Sequence, residues 1–279
     1  MSALPVLALL SAGALYVATG WRTPWPLRRT ASWLAGLGAA GAGAVLATAH
    51  GDLRTHMAGH LLLGMVAPLL LVLAAPVTLA LRTLPVDAAR RLARLLRTPP
   101  LRWASDPLVA VPANAAGLWL LYGTGLHAAV VHRPALAALV ALHVLVSGYL
   151  ATAAVLAVDP ASHRRGVGVR AGALAAGAGA HDVLAKWLYA TALPGVPFAA
   201  EGARLMWDGG TVVTLVVAGV LWRRWYTSRA AVRAAGAPPA AVAGAAPPLD
   251  EPLGPRFLAI VDLRWRRPGD RRRVPTAGP

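Results

Sequence analysis

The stretch "THMAGHLLLGMVAPLLLVLAAPVTLALRTLP", Thr55 to Pro85, decides the fold. Its uncharged run from Leu61 to Leu81 is long enough to cross a bilayer, which takes about 20 apolar residues. Two histidines, His56 and His60, stand at the head of that run, with Met57 beside the first and Met65 five residues after the second. Spacing i, i+4 puts both imidazoles on one helix face, about 6 Å apart along the axis. Such a pair either holds a helix end at the membrane surface or holds a metal.

The rest of the chain carries the same signature. Only 14% of its 279 residues are charged, and the mean hydropathy is +0.57. A soluble protein of this length carries more charge. Ala and Gly are abundant, which lets helices pack closely. The net charge is +16, nearly all from arginine. The arginines fall between apolar segments and in the tail, a pattern that sets membrane topology rather than one that binds nucleic acid. There is no cysteine, so disulfides, iron–sulfur clusters and thiolate metal sites are excluded. The opening "MSALPVLALLSAGALYVATGW" has no positive residue ahead of its apolar run and reads as a retained first helix, not a cleaved signal.

Seven apolar segments emerge, at 3–20, 31–49, 57–81, 106–126, 135–157, 168–192 and 204–226. Their connections alternate. The first carries Arg22, Arg28 and Arg29, the third six arginines, the fifth Arg164, Arg165 and Arg170, and the seventh segment ends in "WRRWYTSR". The second, fourth and sixth carry at most one basic residue each. The positive-inside rule predicts an all-α polytopic membrane protein: a seven-transmembrane-helix bundle with its N-terminus outside and its C-terminus cytoplasmic. Residues 85–100 read as a basic amphipathic helix on the cytoplasmic surface, where arginine meets anionic lipid. Residues 1–228 form the expected membrane domain. Residues 229–279, rich in Ala, Pro and Arg, read as a disordered cytoplasmic tail. No internal repeat, Gly-rich phosphate loop or Ser-centred hydrolase elbow is evident.

This topology gives each polar residue a depth. His50, His56 and His60 fall on the outer side, where the second helix ends and the third begins. His127 and His132 fall at the outer end of the fourth, His143 about two turns into the fifth, and His181 near the middle of the sixth. His163 falls in a cytoplasmic loop as a charge partner near lipid phosphates. For His50 and His127 contact with headgroups is the simpler reading, and for His132 a place in an exposed loop. Met57 and Met206 start the third and seventh helices on the outer side. Asp182 and Lys186, four residues apart, are expected to pair.

Ionisable groups inside spans usually face a polar interior or a functional site. An inward set of His56, His60, His143 and His181 is therefore a candidate imidazole site, with Asp182 or Asp208 accepting from ring N–H groups. Imidazole suits zinc, copper, iron and nickel, and thioether favours Cu(I). Met57 and Met206 tilt the choice to copper, with zinc as the alternative.

Four ordered blocks carry a family resemblance: "HMAGHLLLGMVAPLLLVLAAPVTLALRTLP", "ALHVLVSGYLATAAVLAVDP", "AHDVLAKWLYA" and "GARLMWDGGTVVTLVVAGVLWRRWY". Over roughly residues 45–226 the chain resembles the CtaG-type cytochrome c oxidase assembly factors of the caa-type branch. The resemblance implies a multi-pass protein of the plasma (inner) membrane, without enzymatic activity, that handles copper on the outer side. Its partners would be oxidase subunits and a copper donor protein. The family's metal residues fall on His56, His60, His143 and His181, with Met57 and Asp208. The entry to the last helix, "EGARLMWDGG", and the fourth helix, with His127 in "YGTGLHAAV", depart from the family's usual pattern. Two other readings stand beside it. One is a seven-span zinc hydrolase resembling ceramidase-type amidases, with three His and a water on zinc. The other is a haem-binding or purely structural scaffold.

Overall fold

A computed structural model describes residues 4–48, 52–124, 126–131, 133–160, 164–191 and 196–234. The chain divides into two units, Met1–Ala235 and Gly236–Pro279, and every described helix belongs to the first. The expected tail from 235 onward, with His50, His132 and His163, lies outside the described residues.

Among the described residues every regular element is helical. The first two apolar segments are α1 (Leu4–Gly20) and α2 (Leu27–Thr48). The third is broken into α3 (Leu53–Leu61), a π-helical turn (Leu62–Val66), α4 (Ala67–Leu73) and α5 (Pro76–Thr83). The basic stretch forms α6 (Val86–Leu95) and α7 (Pro99–Ala104). Then come α8 (Pro107–Gly123), α9 (Leu126–Val131), α10 (Pro134–Leu156), α11 (Val167–Thr191) and α12 (Ala199–Ala234).

Four helical stretches, Leu27–Thr48, Leu53–Thr83, Pro134–Leu156 and Ala199–Arg229, are long and apolar enough to cross a membrane. Two shorter apolar helices, Val6–Gly20 and Pro107–Gly123, accompany them. The helix α11 is long enough, but His181, Asp182 and Lys186 dilute its apolarity. Large apolar side chains face outward on several helices, among them Leu10, Leu139 and Leu215, each more than 60% exposed. A bilayer satisfies such a surface and water does not. The helix α6 buries none of its residues, as an element lying on a surface does.

The third segment is the axis of the bundle. Its α3 lies against α2 and α12, and its α4 against α2 and α10. Close approach is possible because small residues meet. A Cβ on Gly43 would stand 2.7 Å from the backbone nitrogen of Leu63, and one on Gly148 would overlap the carbonyl oxygen of Gly64.

Proline shapes this segment twice. Pro68 has no N–H to donate to Gly64, and its ring crowds that carbonyl. The chain widens just before it: the Ala67 N–H reaches back five residues to the Leu62 carbonyl, closing a π turn directly after His60. At Pro76 the helix stops and restarts through Ala75, a left-handed alanine with φ of 55°. The backbone groups freed there find remote partners. The Tyr16 hydroxyl donates to the Ala74 carbonyl at 2.7 Å and accepts from Trp25 Nε1 at 2.9 Å. The Thr78 N–H donates to Asp159 Oδ1 at 2.8 Å, its hydroxyl donates to the same oxygen at 2.6 Å, and the Val77 N–H reaches Oδ2 at 3.3 Å. Asp159 thus caps α5 from beyond the end of α10. Replacing Asp159 with alanine is expected to cost about 1–2 kcal/mol, as loss of a helix cap does. Thermal unfolding of the purified protein in detergent reads this as a lowered midpoint.

Candidate metal centre

The segment carrying His56 and His60 is fixed at its start. Asp52 caps α3, accepting the Thr55 N–H at 2.8 Å, and this bond holds the Asp52 carboxyl below its usual range. The Leu53 N–H donates to the Pro197 carbonyl at 3.1 Å, tying α3 to the chain entering α12.

From that start a row of rings crosses the bundle. His127, on α9, stands 4.7 Å from His56 between ring centres. Tyr122, near the end of α8, lies between the two α3 histidines: its ring centre is 6.0 Å from His56 and 5.9 Å from His60, both edge-on. His60 in turn lies 6.0 Å from His181 of α11, with the ring planes only 13° apart. Gly210 of α12 makes room for His181, since a Cβ there would overlap the ring.

The nitrogens of the row are unequally engaged. His56 Nδ1 is 2.8 Å from the Ala47 carbonyl oxygen, an acceptor only, so Nδ1 carries the proton. In the neutral ring Nε2 then accepts from the Tyr122 hydroxyl at 3.0 Å. His60 Nε2, His127 Nδ1 and His181 Nε2 are buried and have no hydrogen-bond partner. A buried polar atom left unpaired is costly, and such atoms call for an explanation. His60 and His181 line a cavity of about 100 Å³, together with Met65, Asn114, Thr152 and Thr214. Among the described residues no three of His, Asp and Glu converge as a three-ligand metal site needs.

Of the residues singled out by sequence, His56, His60 and His181 meet in this row. His143 does not join them. It is exposed, and its Nε2 lies 2.7 Å from where a Gly117 Cβ would stand, so its ring crosses the surface of α8. The next residue, Val144, takes the inward position against Gly64. Met57 and Met206 are fully buried in the apolar core with Leu53, Tyr122 and Leu184. Asp208 is 64% exposed and paired with Arg204 at 3.5 Å, away from the row. Asp182 Oδ1 is 4.0 Å from His181 Nδ1, longer than a hydrogen bond. Lys186 turns from Asp182 and places its ammonium 4.4 Å from the centre of the Trp207 ring.

His127 and Tyr122 are the members that sequence reasoning did not place in the site. The signal for Tyr122 is chemical: a phenol in the apolar run "LWLLYG" needs a hydrogen-bond partner once buried.

Among the described residues the chain is all-helical, with several helices apolar enough to cross a membrane, and its imidazoles come together from α3, α9 and α11 around Tyr122 of α8. Residues 12–228 match the family of cytochrome c oxidase caa3 assembly factors (Caa3_CtaG), and the chain belongs to that family. Two curated relatives are each 36% identical over 151 residues: uncharacterized protein Mb0105 of Mycobacterium bovis and uncharacterized protein MT0111 of Mycobacterium tuberculosis. The matched stretch is 50% of this chain and 23% of either relative. No solved structure matches.

Proposed function

We propose that the protein is a multi-pass plasma-membrane factor that binds copper at the outer side and delivers it to a cytochrome c oxidase subunit. Seven spans, with the N-terminus outside and the C-terminus inside, are the topology that the alternating arginines support. Copper arrives as cargo from a donor protein and leaves to the oxidase; the chain is a carrier rather than an enzyme. The observation that carries this reading is the pair of buried, unpartnered Nε2 atoms of His60 and His181 on the wall of one cavity. Imidazole nitrogen is a copper ligand, and the Met65 thioether on the same wall favours the reduced ion. Nothing in the site favours zinc hydrolysis, which uses three protein ligands and an activated water.

Metal analysis of the detergent-purified protein tests this. The wild type is expected to retain copper, and a variant with His56, His60, His127 and His181 all changed to alanine to retain none and to fail to support oxidase assembly in a deletion strain. A copper-free wild type, or full oxidase assembly by the variant, overturns the reading.

A further inference from the structure

The four imidazoles are not equivalent. We propose that they form two separate two-coordinate copper(I) stations, an outer one on His56 and His127 and an inner one on His60 and His181, with Tyr122 as the divider. This rests on the copper-carrier reading and specifies how that site is organised.

The spacing separates the pairs. His56 and His60 share a face of α3, yet each turns to a different partner: His56 to His127 of α9, His60 to His181 of α11. Tyr122 contacts both groups, with ring centres 5.5 Å from His127 and 5.9 Å from His60. Three-donor convergence is absent among the described residues, so the donors are available in twos. Zinc asks for four ligands, whereas copper(I) is stable with two nitrogens in a nearly straight line. With metal–nitrogen bonds of about 2 Å, two imidazoles on one ion at a wide angle have ring centres about 6 Å apart. The inner pair stands at 6.0 Å with both Nε2 atoms free, whereas the outer pair stands at 4.7 Å and must move apart to take an ion in this geometry. The adjoining cavity gives the ion space and offers Met65 as a soft third donor.

The stations differ in access. His60 is 4% exposed, whereas His56 and His127 are only partly buried, and His127 rides on a six-residue helix. The outer station therefore exchanges ions and the inner one holds them. Tyr122 sets the balance as a positioning residue. Its hydroxyl occupies the His56 Nε2 lone pair, which the outer station needs, so loading there must break a 3.0 Å hydrogen bond.

Copper(I) titration of the full-length protein against a chromophoric chelator, with X-ray absorption to count nitrogen neighbours, tests the proposal. Wild type is expected to bind two ions, each with two nitrogen neighbours. His56→Ala/His127→Ala should keep only the tighter, slowly exchanging ion, and His60→Ala/His181→Ala only the weaker one. Each pair variant reports its own fold by the ion it keeps. Should the inner-pair variant fail to accumulate, His181→Gln alone must lose the tight ion and keep the weak one. Tyr122→Phe should keep both ions and tighten the outer one about fivefold, the worth of one hydrogen bond. One ion in wild type, lost from both pair variants, overturns the two-station arrangement and leaves the copper-carrier reading standing. No ion in wild type overturns both. An unchanged outer affinity in Tyr122→Phe overturns the role of Tyr122.

Discussion

Gly59→Val is expected to leave the protein unable to accumulate in folded form. A Cβ at Gly59 would overlap the backbone nitrogen of Ala47, stand 2.8 Å from its Cα and reach the Gly43 carbonyl oxygen at 2.7 Å. All three neighbours are backbone atoms of α2, which cannot rotate aside as a side-chain tip can. The two helices must separate, and the separation spreads, because α3 also packs on α12 and carries two of the imidazoles. Overpacking that side chains absorb costs about 1–3 kcal/mol; a backbone collision at a helix crossing exceeds that range and takes a large share of the roughly 5–15 kcal/mol that holds a native domain folded. The expected result is at least a tenfold drop in monodisperse protein by fluorescence-detected size exclusion, tenfold corresponding to about 1.4 kcal/mol. Gly38→Val is the control: Gly38 lies on α2 with nothing near its missing Cβ, and its variant should accumulate normally.

Gly210→Ala separates binding from folding. The added methyl would overlap His181 Cε1 and stand 2.8 Å from Nδ1. Here the obstructing group is the end of a side chain, so the ring swings away and the helices stay where they are. The His181 ring then leaves its place 6.0 Å from the His60 ring. Copper(I) affinity at that pair is expected to fall at least tenfold, about 1.4 kcal/mol, while thermal unfolding of the copper-free protein stays within a few degrees of wild type. Gly172→Ala on α11, with open space at its Cβ, should change neither. Unaltered copper affinity in Gly210→Ala would show that the orientation of His181 is immaterial.

The helical segments were legible because length and apolarity act on whole stretches: all seven expected segments are occupied by helix. The fine structure of the third was not. A π turn depends on where the Pro68 ring meets the preceding carbonyl and on α10 crossing at Gly148, and only the tertiary contact decides between a wide turn and a kink. The site was half legible. The spacing of His56 and His60 fixes a shared face, so both were found. His143 was assigned a depth but no direction. The helix α10 is apolar on every side, so nothing in its sequence distinguishes the face bearing His143 from the face bearing Val144. One residue of rotation moved the inward position to Val144 and left the imidazole over Gly117. His127 failed for the opposite reason. At a helix end a headgroup contact is the simpler reading, and only the tertiary fold brings α9 against His56. Asp208 was placed by depth alone, and an arginine one turn earlier on α12 claims it.

The cap on α5 bears on how the protein is made. Thr78 leaves the ribosome 81 residues before Asp159. At synthesis rates of about 5–20 residues per second, the carboxylate arrives roughly 4 to 16 s after the amides it must satisfy. Through that interval the restart at Pro76 has no partner for the Val77 and Thr78 N–H groups, and α5 is free to point elsewhere. The helix α5 therefore takes its final direction only when α10 and the residues just after it have been made. The clasp orders this part of the bundle: α5 is made early and locked late.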